Sequence, residues 1–274
     1  MLLVIDVGNT NTVLGLYQGE RLAHHFRIST NRHATSDEYG TLLLSLLERR
    51  GVDPATIEGS ILGSVVPQLN RVYLAACAEY FTAPPLVVGP GIRTGMPILI
   101  DQPGEVGADR IVNAVAAWHR HRAPLIVVDF GTATTFDAVN ERGEYLGGAI
   151  APGVEISMDA LFARAAKLPR TELKQPPRVV GKSTVGALQS GLFYGYVGLV
   201  DEIVSRMTEE LEASRPTADS KGARERGAIR VLATGGLASL FSDVSRTIEA
   251  VDEFLTLDGL RILYALNQTE RASP

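Results

Sequence analysis

Residues 1–17 read MLLVIDVGNTNTVLGLY, and the stretch from Ile5 to Thr12 decides how the rest of the chain is read. The apolar run Leu2 to Ile5 ends on an aspartate, then a valine, a glycine and four small polar residues. LLVID has the composition of a buried strand, and VLGLY resumes β character after the turn. A surface turn needs only one or two such polar residues, so a chain of Asx and Ser/Thr turns is the plain reading. An anion site would use them all: a carboxylate to hold a cation, a glycine that lets backbone approach a ligand, and a run of hydroxyl and amide donors.

The second half of the chain bears on the choice. PLIVVDFGTATTFDAV, from Pro124 to Val139, lies over the first strand at an offset of 123 residues. Leu2 meets Leu125, Val4 meets Val127, Asp6 meets Asp129, Gly8 meets Gly131 and Thr12 meets Thr135, five identities in eleven positions. A hairpin pattern follows in each copy, GERLAHHF in the first and RGEYLGGAI in the second. This is a duplicated domain. Two matched strand-turns, each with an acidic residue at the end of a buried strand, are expected to face each other across a cleft. Thr10, Asn11 and Thr12 on one side and Thr132, Thr134 and Thr135 on the other would supply donors to a polyphosphate and its magnesium.

The bulk numbers agree with an ordinary globular α/β protein. The 274 residues carry 45% hydrophobic and 21% charged side chains, with a formal net charge of −5. Such a chain is comfortable for two domains, placed at residues 1–118 and 119–274. An acidic balance argues against a nucleic-acid partner or an anionic membrane surface, which need a basic stripe. Cys77 is the only cysteine, so neither an internal disulfide nor a cysteine-based metal site is available, and a reducing compartment fits. The N-terminal apolar run lacks a basic leader and ends at Asp6, and no stretch approaches the roughly 20 apolar residues of a spanning helix. A cytoplasmic protein is expected.

Along the first half the patterns run β-β-β-α-β-α-β-α. Helices are expected over Asn31–Arg50, over Gln68–Phe81, and from near Gly107 onward, with strands at GSILGS and PPLVVG. The second half carries an insertion from Pro152 to Pro177, in which LFARAAKLPRTELK reads as an amphipathic helix. A long helix from about Val185 to Glu212 follows. In it GLFYGYVGLV places glycines on one side, for a dimer interface or for packing between domains. SRPTADSKGARERGA is surface loop by composition. IRVLATGG then ends in paired glycines, and LDGLRILYALNQ closes the pattern as an amphipathic helix. GKST at Gly181–Thr184 resembles the tail of a Walker A loop, but Pro176 stands where that loop needs a glycine. GPGIRTG lacks the spacing and following helix of a dinucleotide fingerprint. The five histidines show no ligand spacing, and His119 and His121 fit a helix C-terminus.

The duplicated D-x-G-x-T turns with a late TGG resemble the actin-like superfamily of sugar kinases, acetate kinases and heat-shock ATPases. That resemblance implies an α/β fold of duplicated actin-like (ribonuclease H-like) domains, with mixed sheets flanked by helices. DVGNTNT, PGEVGADRIVNA, VVDFGTATTFD, GGAIAPG and ATGGLA, in that order over nearly the whole chain, resemble the type III pantothenate kinase family. That similarity implies ATP-dependent phosphorylation of pantothenate, the first step of coenzyme A synthesis. It also implies a homodimer and a monovalent cation, potassium or ammonium. By the same resemblance Asp6, Val7, Gly8, Asn9, Thr10, Asn11, Thr12 and Val13 form the ATP phosphate turn, and Thr132 also meets the phosphates. Gly107, Ala108, Asp109, Arg110 and Thr184 line the pantothenate pocket, Asp109 serves as general base, and Asp129 binds the monovalent cation.

The chain departs from the family pattern at two places. Ile100 stands before Asp101-Gln102-Pro103 where many members carry a tyrosine, and Ser183 replaces an asparagine before the threonine. Both bear on substrate affinity more than on reaction type. Two other readings stay open at this stage. One is a different small-molecule kinase of the superfamily; the other is a non-enzymatic relative that keeps the fold as a nucleotide sensor. Intact Asp6, Asp109 and Asp129 argue against the sensor, which has little use for a base.

Overall fold

A computed structural model describes residues 1–81, 84–165, 168–215 and 227–268. Residues 216–226, inside SRPTADSKGARERGA, lie outside the described residues, as do Ala166 and Lys167 of LFARAAKLPRTELK.

The described residues form two five-stranded mixed sheets of identical connectivity. The first contains β1 (Leu2–Val7), β2 (Asn11–Gln18), β3 (Arg21–Ser29), β4 (Gly59–Ser64) and β5 (Leu86–Val87), in the order β3-β2-β1-β4-β5. The second contains β6 (Leu125–Phe130), β7 (Ala133–Val139), β8 (Tyr145–Pro152), β9 (Arg230–Gly235) and β10 (Ala250–Val251), in the order β10-β9-β6-β7-β8. In each, the first strand is central, antiparallel to the hairpin on one side and parallel to the crossover strand on the other. A central strand covered on both faces has to be apolar throughout. Leu3, Val4, Ile5 and Val7 in β1, and Leu125 to Val128 in β6, are buried accordingly. The duplication expected from the sequence is thus present in the topology.

Helices α1 (Ser36–Glu48), α2 (Pro67–Tyr80) and α3 (Ala108–His121) follow β3, β4 and β5. In the second half α4 (Val154–Arg164) and α5 (Thr184–Ser214) follow β8, α6 (Ala238–Ser242) follows β9, and α7 (Leu255–Gln268) follows β10. The start of α1 is set by a capping box. The Thr35 hydroxyl accepts from the Glu38 N–H at 3.3 Å, and the Thr35 N–H donates to Glu38 Oε2 at 2.7 Å. Gly51, at φ +65°, accommodates the chain just beyond its end. One core, with Leu3, Ile5, Leu14, Leu16, Leu43 and Tyr73, lies under α1 and α2. The other, with Val128, Phe136, Phe193, Val200 and Phe241, lies under α5 and α6.

The chain separates into two compact units, and they do not follow a single cut near residue 118. The chain passes from the first unit to the second inside α3, between Ala116 and Ala117, while residues 98–100 belong to the second unit and residues 254–268 to the first. Helix α7 closes the second repeat in sequence, yet it packs on β1, β2 and β4. Its anchors are specific. Tyr17 Oη donates to Asp258 at 2.6 Å, Thr256 Oγ1 donates to Asn113 Oδ1 at 2.7 Å, and Gly259 has no Cβ because one would fall 2.2 Å from the Val112 carbonyl oxygen.

Two local expectations change. The amphipathic helix expected over LFARAAKLPRTELK ends at Arg164, and residues 168–176 are not helical. Pro169 disfavours helical backbone at the residue before it, and Pro176 and Pro177 offer no N–H. This segment is held instead by α5, where Gln189 Nε2 donates to the Glu172 carbonyl at 3.0 Å and Ser190 Oγ to the Val179 carbonyl at 2.5 Å. Along α5, Cβ atoms added at Gly191, Gly195 and Gly198 would meet nothing within 4 Å among the described residues, so these glycines serve no close packing there.

Candidate active site

The two strand-turns are the centre of each unit, and their hydrogen bonds correspond. In the first, Gly8 N–H donates to the Asn11 carbonyl at 3.0 Å; in the second, Gly131 N–H donates to the Ala133 carbonyl at 3.0 Å. Asp6 pairs with Val13 across the first hairpin, and Asp129 pairs with Thr135 across the second. The second turn is therefore one residue shorter. The offset of 123 holds up to the turn and becomes 122 beyond it. Thr12 and Thr135, matched in the ungapped alignment, are consequently not equivalent. The counterpart of Thr12, opposite Val7, is Thr134, opposite Phe130, and both threonines are fully buried. The tips, Asn9 and Thr10 in the first turn and Thr132 in the second, are exposed, while Asp6 and Asp129 are half-buried at the strand ends.

Space around the turns is kept by glycines. A Cβ on Gly8 would fall 2.8 Å from the Asn11 carbonyl oxygen. On Gly235 it would fall 2.6 Å from both Asp129 Oδ1 and the Phe130 carbonyl oxygen, and φ there is +91°. The first glycine of the TGG motif thus lies against the Asp129 carboxylate. A Cβ on Gly153 would fall 2.2 Å from the Thr132 carbonyl oxygen, so the end of β8 lies directly on the second turn.

Gly107 to Arg110 occupy the entry of α3. Asp109 is in the first helical turn, its Oδ1 accepting from the Arg110 N–H at 2.8 Å. A Cβ on Gly107 would sit 2.5 Å from that same Oδ1, so the glycine is what lets the carboxylate fold back over the helix start. Burial pushes the Asp109 carboxyl above its usual range, and the Arg110 N–H and guanidinium charge pull it part of the way back. A half-buried carboxylate that is reluctant to ionise has the character of a proton acceptor.

Thr184 is the first residue of α5. Ser183 before it is the N-cap, its hydroxyl accepting from the Gly186 N–H at 3.1 Å. GKST is therefore the entry of α5. Serine and asparagine are both good caps, so the replacement at Ser183 keeps the local geometry. Ile100 packs on the edge of the second sheet, 3.3 Å from where a Gly147 Cβ would lie. Asp6 to Val13 and Gly107 to Arg110 thus belong to the first unit, and Asp129, Thr132 and Thr184 to the second.

One group at the first turn has no place in the sequence-derived set. Thr30, after β3, donates its hydroxyl to the Gly8 carbonyl at 2.7 Å and its N–H to the Thr10 carbonyl at 2.9 Å. Arg32 Nη2 donates to Asn9 Oδ1 at 2.8 Å. The strand registers match Ser29 with Pro152, which restores the offset of 123 by the third strand of each sheet and sets Thr30 against Gly153, an unlike pair that gives no signal in the sequence.

A paired arrangement of mixed sheets flanked by helices, with a carboxylate and a glycine turn at the end of each central strand, defines the actin-like ATPase and sugar-kinase fold class. Solved structures agree on the fold. A Baf family protein of Campylobacter jejuni gives a TM-score of 0.58 at 17% identity, covering 97% of this chain and 99% of that one. A polyphosphate/ATP-glucomannokinase of Arthrobacter gives 0.50 at 14%, covering 97% and 98%. Within that class the model of the type III pantothenate kinase family matches residues 2–206. The type III pantothenate kinase of Pelobacter propionicus is 57% identical over 98% of this chain and 100% of its own length. That of Myxococcus xanthus is 54% identical over 97% and 99%. The chain belongs to the type III pantothenate kinase family.

Proposed function

We propose that the chain transfers the γ-phosphoryl group of ATP to the primary hydroxyl of pantothenate, giving 4'-phosphopantothenate and ADP at the entry to coenzyme A synthesis. Family membership, with full-length identity of 57% to a kinase of that name, is the observation that carries this reading. The intact GADR entry to α3 and the paired turns support it.

Phosphoryl transfer passes through a loose transition state, so the protein contributes mainly position and charge. Backbone N–H groups of the Gly8 and Gly131 turns hold the phosphates, with Asn9 to Val13 and Thr132 around them. Asp109 orients the pantothenate hydroxyl and accepts its proton late in the transfer. Arg110 meets the pantothenate carboxylate in this reading, with Gly107, Ala108 and Thr184 as further pantothenate contacts.

Magnesium would be held by Asp6 through water and would neutralise charge on the transferring phosphates. A monovalent cation, potassium or ammonium, would be held at Asp129 and would offset charge there. The absence of a side chain at Gly235, where a Cβ would fall 2.6 Å from Asp129 Oδ1, supports this placement.

The protein acts as a homodimer in this reading. Glycines of α5 with no packing partner among the described residues, and exposed Ile156, Leu161, Val179, Val180 and Val185 in the same half of the chain, support a covering partner. No helix among the described residues is long and apolar enough to cross a membrane. A cytoplasmic location and the absence of nucleic-acid partners accord with the acidic composition and the biosynthetic role.

The test is ADP formation across a panel of pantothenate, acetate and hexoses, in potassium and in sodium buffer. Turnover with pantothenate alone, faster in potassium, is expected. Turnover with another acceptor and none with pantothenate would overturn the substrate, and equal rates in the two salts would overturn the cation site.

A further inference from the structure

A turn that presents N–H groups to an anion has to direct its carbonyl oxygens elsewhere, since each stray carbonyl repels phosphate. In the first turn Thr30 does this twice over, with its hydroxyl on the Gly8 carbonyl at 2.7 Å and its N–H on the Thr10 carbonyl at 2.9 Å. The Thr30 hydroxyl is itself placed by the fully buried Thr12, whose Oγ1 lies 3.0 Å away. The second turn keeps only the backbone half of this clasp. Gly153 N–H donates to the Thr132 carbonyl at 3.1 Å, and no side chain fits at Gly153. The side-chain clasp therefore belongs to the longer turn alone, the one with an extra residue at its tip.

Two residues beyond Thr30, the guanidinium of Arg32 is tied to the tip itself through Asn9 Oδ1. Arg32 is exposed and makes no ion pair among the described residues. A guanidinium has five donors, of which this tether uses one. Placed beside N–H groups on a chain of net charge −5, it is the kind of group that binds phosphate oxygens in pairs.

Resting on the ATP-turn reading above, we infer that the segment Thr30–Arg32 completes the polyphosphate site. Thr30 is a positioning residue that aims the carbonyls of the first turn away from the nucleotide, and Arg32, held by Asn9, contacts its terminal phosphates. The plain alternative is a surface hydrogen bond that contributes almost nothing.

The experiment is steady-state kinetics on the full chain in potassium buffer, varying ATP at saturating pantothenate and then the reverse. The variants are Thr30→Val, Thr30→Ser, Arg32→Ala, Arg32→Lys and, as a control on the turn itself, Asp6→Asn. Thr30→Val is expected to raise KM for ATP about tenfold, the effect of one lost hydrogen bond to a partly buried acceptor. KM for pantothenate should stay within about twofold, and Thr30→Ser should restore the ATP value because it keeps the hydroxyl. Arg32→Ala is expected to raise KM for ATP by a similar factor, with Arg32→Lys between it and the parent. Should Thr30→Val fail to fold, Arg32→Ala still carries the test of the segment. Unchanged ATP dependence in Thr30→Val and Arg32→Ala, with Asp6→Asn impaired, would overturn this inference and leave the ATP turn standing. An unimpaired Asp6→Asn would remove the ATP-turn reading and the inference with it.

Discussion

Asp109 is pulled in opposite directions by its surroundings. Burial raises its pKa, while the Arg110 N–H and the Arg110 charge oppose the rise. A base has to be deprotonated to act, so activity should fall as pH drops through a value above the ordinary carboxylate range. A raised native pKa also means that the folded protein binds this proton more tightly than the unfolded chain. The charged form therefore costs stability once pH exceeds the unfolded value, and it costs the most above the native one. Asp109→Asn should remove the acid limb of the pH–rate profile and lower kcat by about 10² to 10⁴. At neutral pH its Tm should match or exceed that of the parent, because the Asn oxygen still accepts from the Arg110 N–H. An acid limb that survives the substitution would assign the base elsewhere. Cys77 illustrates the opposite outcome of burial: its thiol is pushed up to about 12 and it sits in the core under α1 and α2, so burial makes it inert.

The strands and helices show how far pattern reading reaches. The β1 and β6 strands were open to sequence reading because both are apolar throughout and end on the same Asp-x-Gly. The capping box of α1 and the entry of α5 are similarly local. The one-residue difference between the turns was hidden, since a threonine stands at the matched position in either alignment and only the strand register distinguishes Thr134 from Thr135. The placement of α7 was hidden for a different reason. Its amphipathic face specifies that it is buried, and nothing in that pattern says against which sheet. The structure places it on the first, through Tyr17–Asp258 and Thr256–Asn113. Removing residues 255–268 should consequently cost amide protection in β1 and β4 before β6 and β9. Hydrogen exchange checks this, and a loss confined to the second sheet would contradict the packing of α7. Thr30 and Arg32 were missed because their contacts lie about twenty residues away in sequence and carry no motif.

For the molecule as a whole, duplication gives each unit one strand-turn of the same design, with a carboxylate at the strand end and a glycine in the turn, and the copies then diverge. The first turn is longer and clasped by a side chain; the second is shorter, overlaid by Gly153 and bordered by Gly235. Fold alone leaves the acceptor open, since the same class includes a glucomannokinase. Family membership narrows it to pantothenate. The most direct measurement is the product itself: purified protein, ATP, magnesium and pantothenate in potassium buffer, followed by mass spectrometry and phosphorus NMR. One 4'-phosphopantothenate for each ADP is the predicted result. ADP accumulating with pantothenate left unmodified would contradict it.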